Sequence, residues 1–218
     1  MNHEILKQFC TIESSEHLFL SFEGIEGSGK STQIKNLTQH LNDQGYDTLT
    51  LREPGGTVFG ENLRAAILNS TEPLAPIAEA YLFASARAQL LTEKILPHLK
   101  RPKSAVLLDR YIDSSLAYQG VARGLGIETI LNIHLQNPLN ILPQKTFYLE
   151  IPLEVSLERQ DKRGNVKDYF ESEKSQFTQK LIDGFKTCTE YFPGRIAIIN
   201  GQDSPEKVFE NILKELAI

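Results

Sequence analysis

Short apolar runs alternate along this chain with stretches of helical period. The runs at 18–22, 48–51, 105–108, 145–151 and 196–199 are the strand candidates. The run at 105–108 is apolar without a break, as a strand buried on both faces of a parallel sheet is. Helices are predicted over 30–42, 60–68, 76–100, 114–122 and 127–137, then from about 153. A charged stretch at 160–167 interrupts the last of these, a long helix runs on to about 190, and Pro205 opens a terminal one. In the segment opened by Pro76, residues Ala78, Leu82, Ala86 and Leu90 recur at helical spacing. Five strands separated by helices predict βαβ units around one parallel sheet. No internal repeat or linker divides residues 18–218, so they form a single domain, with residues 1–17 expected to be a frayed extension.

Composition narrows the class. The 218 residues are 40% hydrophobic, enough for one core without staples. No window of about 18 apolar residues exists, so no membrane span is expected, and the acidic first residues do not read as a secretory leader. Cys10 and Cys188 have neither metal-ligand spacing nor a disulfide framework, which points to the cytoplasm. A net charge of −5 argues against a surface that coats nucleic acid phosphates.

The chemistry begins where the first strand ends. Gly24, Ile25, Glu26, Gly27, Ser28, Gly29, Lys30 and Ser31 fit G-x-x-x-x-G-K-[ST], with Thr32 following, between a strand and a helix. Glycines let the backbone turn its N–H groups inward as an anion nest, and the helix N-terminus adds positive charge. Lys30 reaches the β- and γ-phosphates of a nucleoside triphosphate and the Ser31 hydroxyl binds Mg²⁺. Two further strand exits, Arg52-Glu53 and Asp109-Arg110, also end in ionic residues, where ligands bind in such sheets. Without an N-K-x-D motif the GTPase reading is weak, and a kinase of a small anionic acceptor is favoured.

Beyond the cradle the chain resembles the thymidylate kinase family from Leu18 to its end. The residues that carry the resemblance are F-E-G-I-E-G-S-G-K-S at 22–31, R-E-P-G-G at 52–56 with Arg64, L-F-A-S-A-R at 82–87, and D-R-Y-I-D-S-S-L-A-Y-Q-G at 109–120. The resemblance implies a P-loop fold with a five-stranded parallel sheet and a short lid. It also implies a homodimer and transfer of the ATP γ-phosphoryl group to dTMP. Phe83 and Arg87 lie four apart on a helix and so share a face; the family's matching pair stacks on thymine and bonds its O4. By the same resemblance Arg110 lies between donor and acceptor phosphates, with Asp109 near the metal. Arg64, Glu53 and Pro54 belong to the acceptor side, Ser114, Ser115, Tyr118 and Gln119 line the nucleoside pocket, and Glu26 approaches the sugar 3′-OH. Alternatives remain another nucleotide or deoxynucleoside kinase, or a sensor that binds nucleotide without transfer.

Residues 159–168 resemble the family's lid, basic in an acidic chain. The family's D-R-x-E appears here as Asp168, Tyr169, Phe170 and Glu171, so Tyr169 stands where an arginine is usual. No variable position of the P-loop is basic either. The remaining transition-state cation is therefore expected from the lid, with Arg163, next to the flexible Gly164, ahead of Arg159 and Lys162.

Overall fold

The computed structural model describes residues 3–12, 16–163 and 175–216. A short helix α1 (His3–Leu6) and strand β1 (Cys10–Thr11) precede β2 (His17–Glu23), α2 (Lys30–Asp43) and β3 (Asp47–Arg52). Next come α3 (Val58–Leu68), α4 (Pro76–Leu90), α5 (Leu96–Leu99), β4 (Ser104–Asp109), α6 (Ile112–Ser115) and α7 (Ile127–Ile133). The chain continues through β5 (Ile141–Leu142), β6 (Lys145–Glu150), α8 (Leu153–Arg163), α9 (Ser175–Tyr191), β7 (Ile196–Asn200) and α10 (Pro205–Leu216).

The main sheet has the order β3-β4-β2-β6-β7 and every pairing in it is parallel. Each of its five strands falls on a run expected from the sequence. Alternation along the strands divides the core. Phe19, Val106, Leu108 and Tyr148 face a cluster with Leu116, Leu181 and Phe185. Leu20, Phe22, Leu107 and Phe147 face the other way, onto Ile34, Leu37 and Leu41 of α2 and Val208 and Ile212 of α10. Burying both faces this way explains why β4 carries no polar residue between Ser104 and Asp109.

Three departures from the sequence reading matter. The helix expected over 76–100 widens into a π-helical turn at Leu91–Ile95 before α5. Pro97 supplies the cause: a proline inside a helix clashes with the carbonyl four residues back, and a wider turn relieves the clash. The segment expected as one helix over 114–122 is α6 followed by a π-helical stretch, Leu116–Ala122. That stretch carries Tyr118 and Gln119, and α9 packs against it so closely that a Cβ on Gly184 would lie 2.9 Å from the Ala117 Cα.

The third departure corrects the frayed extension. Over residues 3–12 the chain is docked: β1 pairs in parallel with β5, Cys10 opposite Ile141 and Thr11 opposite Leu142. Ile5 is only 5% exposed and the Phe9 ring meets Phe192 edge-on at 6.3 Å. Apolar burial of these two side chains, with Asn140 Nδ2 donating to the Gln8 carbonyl at 3.0 Å, outweighs the entropy of a free end. Among the described residues no helix is long and apolar enough to cross a membrane. The lid expected at 159–168 lies within α8 as far as Arg163 and is otherwise outside the described residues, as is Tyr169.

Candidate active site

The loop between β2 and α2 forms a concave ring of backbone. Gly24, Gly27 and Gly29 have φ of 140°, 78° and 102°, in the region closed to most side chains. A Cβ on Gly24 would meet the Leu149 carbonyl at 2.7 Å and the Ser28 Oγ at 2.8 Å. Lys30 folds back into the ring, with Nζ donating to the carbonyls of Gly24 at 3.0 Å and Ile25 at 3.4 Å. Burial, and then the nearby Arg110 charge, push its ammonium down to about 8. Phosphate oxygens are stronger partners for that ammonium than two neutral carbonyls. Ser31 and Thr32 are exposed in the first turn of α2, and the Ser28 Oγ is buried with no partner among the described residues.

Glu23, the last residue of β2, was not singled out as a site residue, yet it joins this loop to the next strand exit. Its carboxylate accepts from the N–H of Tyr111 at 2.7 Å and of Ser114 at 3.2 Å, and from the Ser114 hydroxyl at 2.6 Å. It thereby takes up N–H groups at the start of α6, of which that of Ser114 also reaches the Tyr111 carbonyl at 3.1 Å. Complete burial, and then the Asp113 charge, push it up to about 7. The signal available in the sequence was its position, a carboxylate in an apolar strand directly before the glycine loop.

Asp109 ends β4 opposite Phe22 of β2, which puts the two strand exits side by side. Arg110 follows with φ of 74°, a strained value for a side chain of this size. Its N–H donates to the Phe22 carbonyl at 3.0 Å, and its Nη1 donates to the Ser114 Oγ at 3.1 Å. The guanidinium lies 5.2 Å from the centre of the Tyr118 ring. Burial disfavours its charge, but Tyr118, Glu23, Asp109 and Glu26 more than offset that. Lys30, Asp109, Arg110 and Glu26 therefore share one electrostatic neighbourhood. Glu26 is half-buried, and its backbone carbonyl accepts from the Ser156 hydroxyl at 2.7 Å.

The residues expected on the acceptor side form a second group beside it. The Glu53 N–H donates to the Asp109 carbonyl at 3.0 Å, fixing the β3 exit to that of β4. Arg64 of α3 reaches the Pro54 carbonyl at 3.4 Å. Phe83 is half-buried on α4, one turn before Arg87. Arg87 itself is 1% exposed, and every N–H of its guanidinium already has an acceptor in the protein: Glu53, Ser115 or His134. Burial pushes the Glu53 carboxyl up, with Arg87 opposing. Ser114 and Ser115 are thus engaged with Glu23, Arg110 and Arg87. Gln119 donates to the Glu79 carboxylate at 2.6 Å, and its Oε1 is buried with no partner among the described residues. His134 was not anticipated at all; nothing in the sequence distinguished it.

Hard oxygen donors suit Mg²⁺. Ser31 offers a hydroxyl in the first turn of α2, and Asp109 a carboxylate close to Lys30. Among the described residues no group of three or more His, Cys, Asp or Glu could enclose a metal unaided. An ion held by Ser31 and Asp109 would complete its shell with phosphate oxygens and water. Arg159 of α8 donates to the Gly27 carbonyl at 3.0 Å, so α8 rests on the phosphate loop. Arg163 closes α8, and its side chain lies outside the described residues.

A phosphate cradle, a strained arginine and a buried arginine paired with Glu53, gathered at adjacent strand exits, suit phosphoryl transfer to a small acceptor. Comparison with known proteins bears on which one. The sequence model of a family described as thymidylate kinase matches residues 22–212. The thymidylate kinase of Thermoanaerobacter sp. (strain X514) is 45% identical over 195 residues, which are 89% of this chain and 95% of that one. That of Caldanaerobacter subterraneus subsp. tengcongensis is 41% identical over 196 residues, 90% of this chain and 93% of that one. The crystal structure of thymidylate kinase from Ehrlichia chaffeensis superposes with a TM-score of 0.74 at 28% identity, covering 92% of this chain and 99% of that one. One match thus takes in the cradle, Arg110 and the Glu53–Arg87 pair together, and the chain belongs to the thymidylate kinase family.

Proposed function

We propose that this chain transfers the γ-phosphoryl group of ATP to dTMP, giving dTDP and ADP, a step in dTTP synthesis. The observation that carries this reading is the position of Arg110, held by β2 and β4 between the Lys30 cradle and the Glu53–Arg87 pocket. A phosphate oxygen of dTMP attacks the γ-phosphorus while the bond from that phosphorus to the β,γ-bridging oxygen breaks. ADP leaves with that electron pair. A phosphate oxygen already carries negative charge, so positioning and charge stabilisation do most of the work.

Lys30 leaves the Gly24 and Ile25 carbonyls for the β- and γ-phosphates. Arg110 neutralises charge shared by the two substrates, and Arg64 holds the acceptor phosphate. Mg²⁺, when held by Ser31 and Asp109, supplies positive charge to the triphosphate oxygens. Glu26 faces the sugar 3′-OH, Tyr118 crowds the place of a ribose 2′-OH, and Gln119 completes the nucleoside pocket. Phe83 stacks on the base, and Arg87 offers N–H groups to O4. A sensor without transfer is not favoured, since Lys30, Arg87 and Arg110 are all present. The two cysteines are free thiols, which suits the cytoplasm.

A coupled assay of ADP release across nucleoside monophosphates tests the reading. An arginine only donates hydrogen bonds, so it suits O4 of thymine or uracil and opposes the cytosine amino group. Loss of the 5-methyl group should cost about 1–3 kcal/mol, making dUMP a poor substrate, and dCMP should be far worse. Equal turnover of dCMP and dTMP would remove Arg87 from base recognition.

The lowered Lys30 value predicts a pH dependence with a definite sign. The group must be charged to attract phosphates, so kcat/KM for ATP should fall as pH rises through about 8. Bound phosphates favour the charged form, so kcat should hold to higher pH. A kcat/KM that stays flat to about pH 10 would show that Lys30 does not govern ATP capture.

Arg163 swings toward the ATP phosphates when the lid closes. Arg163→Ala should lower kcat at least about tenfold, or ~1.4 kcal/mol of transition-state stabilisation, with little change in the KM for dTMP. An unchanged kcat at saturating substrates would leave the lid cations as a solvated face.

The homodimer forms through α3 and α4, which carry exposed apolar side chains: Val58 and Phe59 at the start of α3, Ile77 and Tyr81 in the first half of α4, with Val58 81% and Tyr81 57% exposed. Apolar side chains this exposed on two packed helices favour a partner surface. Light scattering should give twice the chain mass, and Tyr81→Glu should lower it; a monomer mass for the native chain rules this interface out.

A further inference from the structure

His134 stands in the turn that ends α7, buried completely. Its Nδ1 lies 2.8 Å from the Ile130 carbonyl oxygen and its Nε2 lies 2.6 Å from Nη1 of Arg87. A carbonyl only accepts and a guanidinium only donates, so the tautomer is fixed. Nδ1 carries the proton and Nε2 presents a lone pair. Burial, reinforced by the Arg87 charge, pushes the imidazole down to about 3, so it stays neutral at any working pH.

The partners of Arg87 are not equivalent. On one flank Glu53 Oε2 takes the N–H of Nε at 2.8 Å and one from Nη2. On the other flank His134 takes one from Nη1 at 2.6 Å. The two N–H groups between them, at the open end of the fork, share the single Ser115 hydroxyl at 3.2 Å each. Those are the long, shared contacts of the set, and the ones an incoming carbonyl oxygen displaces most readily. Tyr111, with its ring centre 4.9 Å from Cζ, holds the guanidinium face.

We propose that His134 is a positioning residue for base recognition, clamping the flank of Arg87 opposite Glu53 so that its forked N–H pair points at O4 of the acceptor's pyrimidine. The proposal rests on the dTMP kinase reading, through Arg87 as the base reader. A second carboxylate in this place would give Arg87 two negative partners and weaken its pull on O4. A neutral imidazole fixes the direction without adding charge. Position in the sequence hides this role, since His134 is 47 residues from Arg87 and belongs to no motif.

Steady-state kinetics of the full chain with dTMP and dCMP at saturating ATP test it. His134→Leu should raise the KM for dTMP about tenfold and shrink the dTMP-over-dCMP preference about as much, leaving kcat within about threefold and the KM for ATP unchanged. His134→Gln, whose amide oxygen reaches near the place of Nε2, should bring both back to within about threefold of the native values. A packing role alone would lower the melting temperature without moving the preference. A native preference in folded His134→Leu overturns the proposal. If that variant has no cooperative melt, His134→Met, unbranched and adaptable in a packed site, is read by the same criterion. Arg87→Gln separates the two claims. If it keeps the native preference, Arg87 does not read the base and the proposal falls with it. If it loses the preference while His134→Leu keeps it, only the role of His134 falls.

Discussion

The site depends on one buried carboxylate. Glu23 stands where the phosphate loop leaves β2 and receives two N–H groups and a hydroxyl from the segment that leaves β4. The Arg110 N–H bond to the Phe22 carbonyl ties the two exits at one point, and Glu23 adds three more. A carboxyl group shared between them fixes Arg110, whose left-handed backbone has no steric preference for its place, within reach of the cradle. Ser114 extends the tie, donating to Glu23 and accepting from Arg110.

Buried charge elsewhere follows the same logic. Asp113 pairs with Arg195 and with Thr146, joining α6 to the start of β7 and to β6. Glu53 pairs with Arg87 across the pocket, and Glu79 lies 3.5 Å from Arg123 while it accepts from Gln119. Such pairs contribute little net stability, because desolvation offsets most of the attraction. Their contribution here is direction: each sets the angle of a side chain that faces the site or supports one that does.

How legible was this in the sequence? The sheet was, because five short apolar-rich runs alternate with helical stretches, and 105–108 is apolar without a break, as burial on both faces demands. The cradle was, because a glycine loop before a lysine has few other uses after a strand. The π-helical stretches were not: an extra residue in a turn leaves no mark in a 3.6-residue period. β1 and β5 were invisible because two residues are too few to show alternation. Contacts such as Arg195 with Asp113, 82 residues apart, have no local signature, and neither has His134. Recognition of the family named Arg87 as a base reader but not the partners that already occupy its guanidinium. Those partners follow from which side chains the fold buries together.

The docking of residues 3–12 sets an order of events at the ribosome. Cys10 takes its backbone partner, Asn140, from 130 residues further along. At roughly 5–20 residues per second, the segment waits about ten seconds for that strand to be made. β2 can begin to pair with β4 before then, since β4 ends at Asp109. The segment bearing Ile5 and Phe9 is therefore made early and seated late, and it spends the interval with its apolar side chains in water. Chaperones that bind short apolar stretches on nascent chains would meet it there.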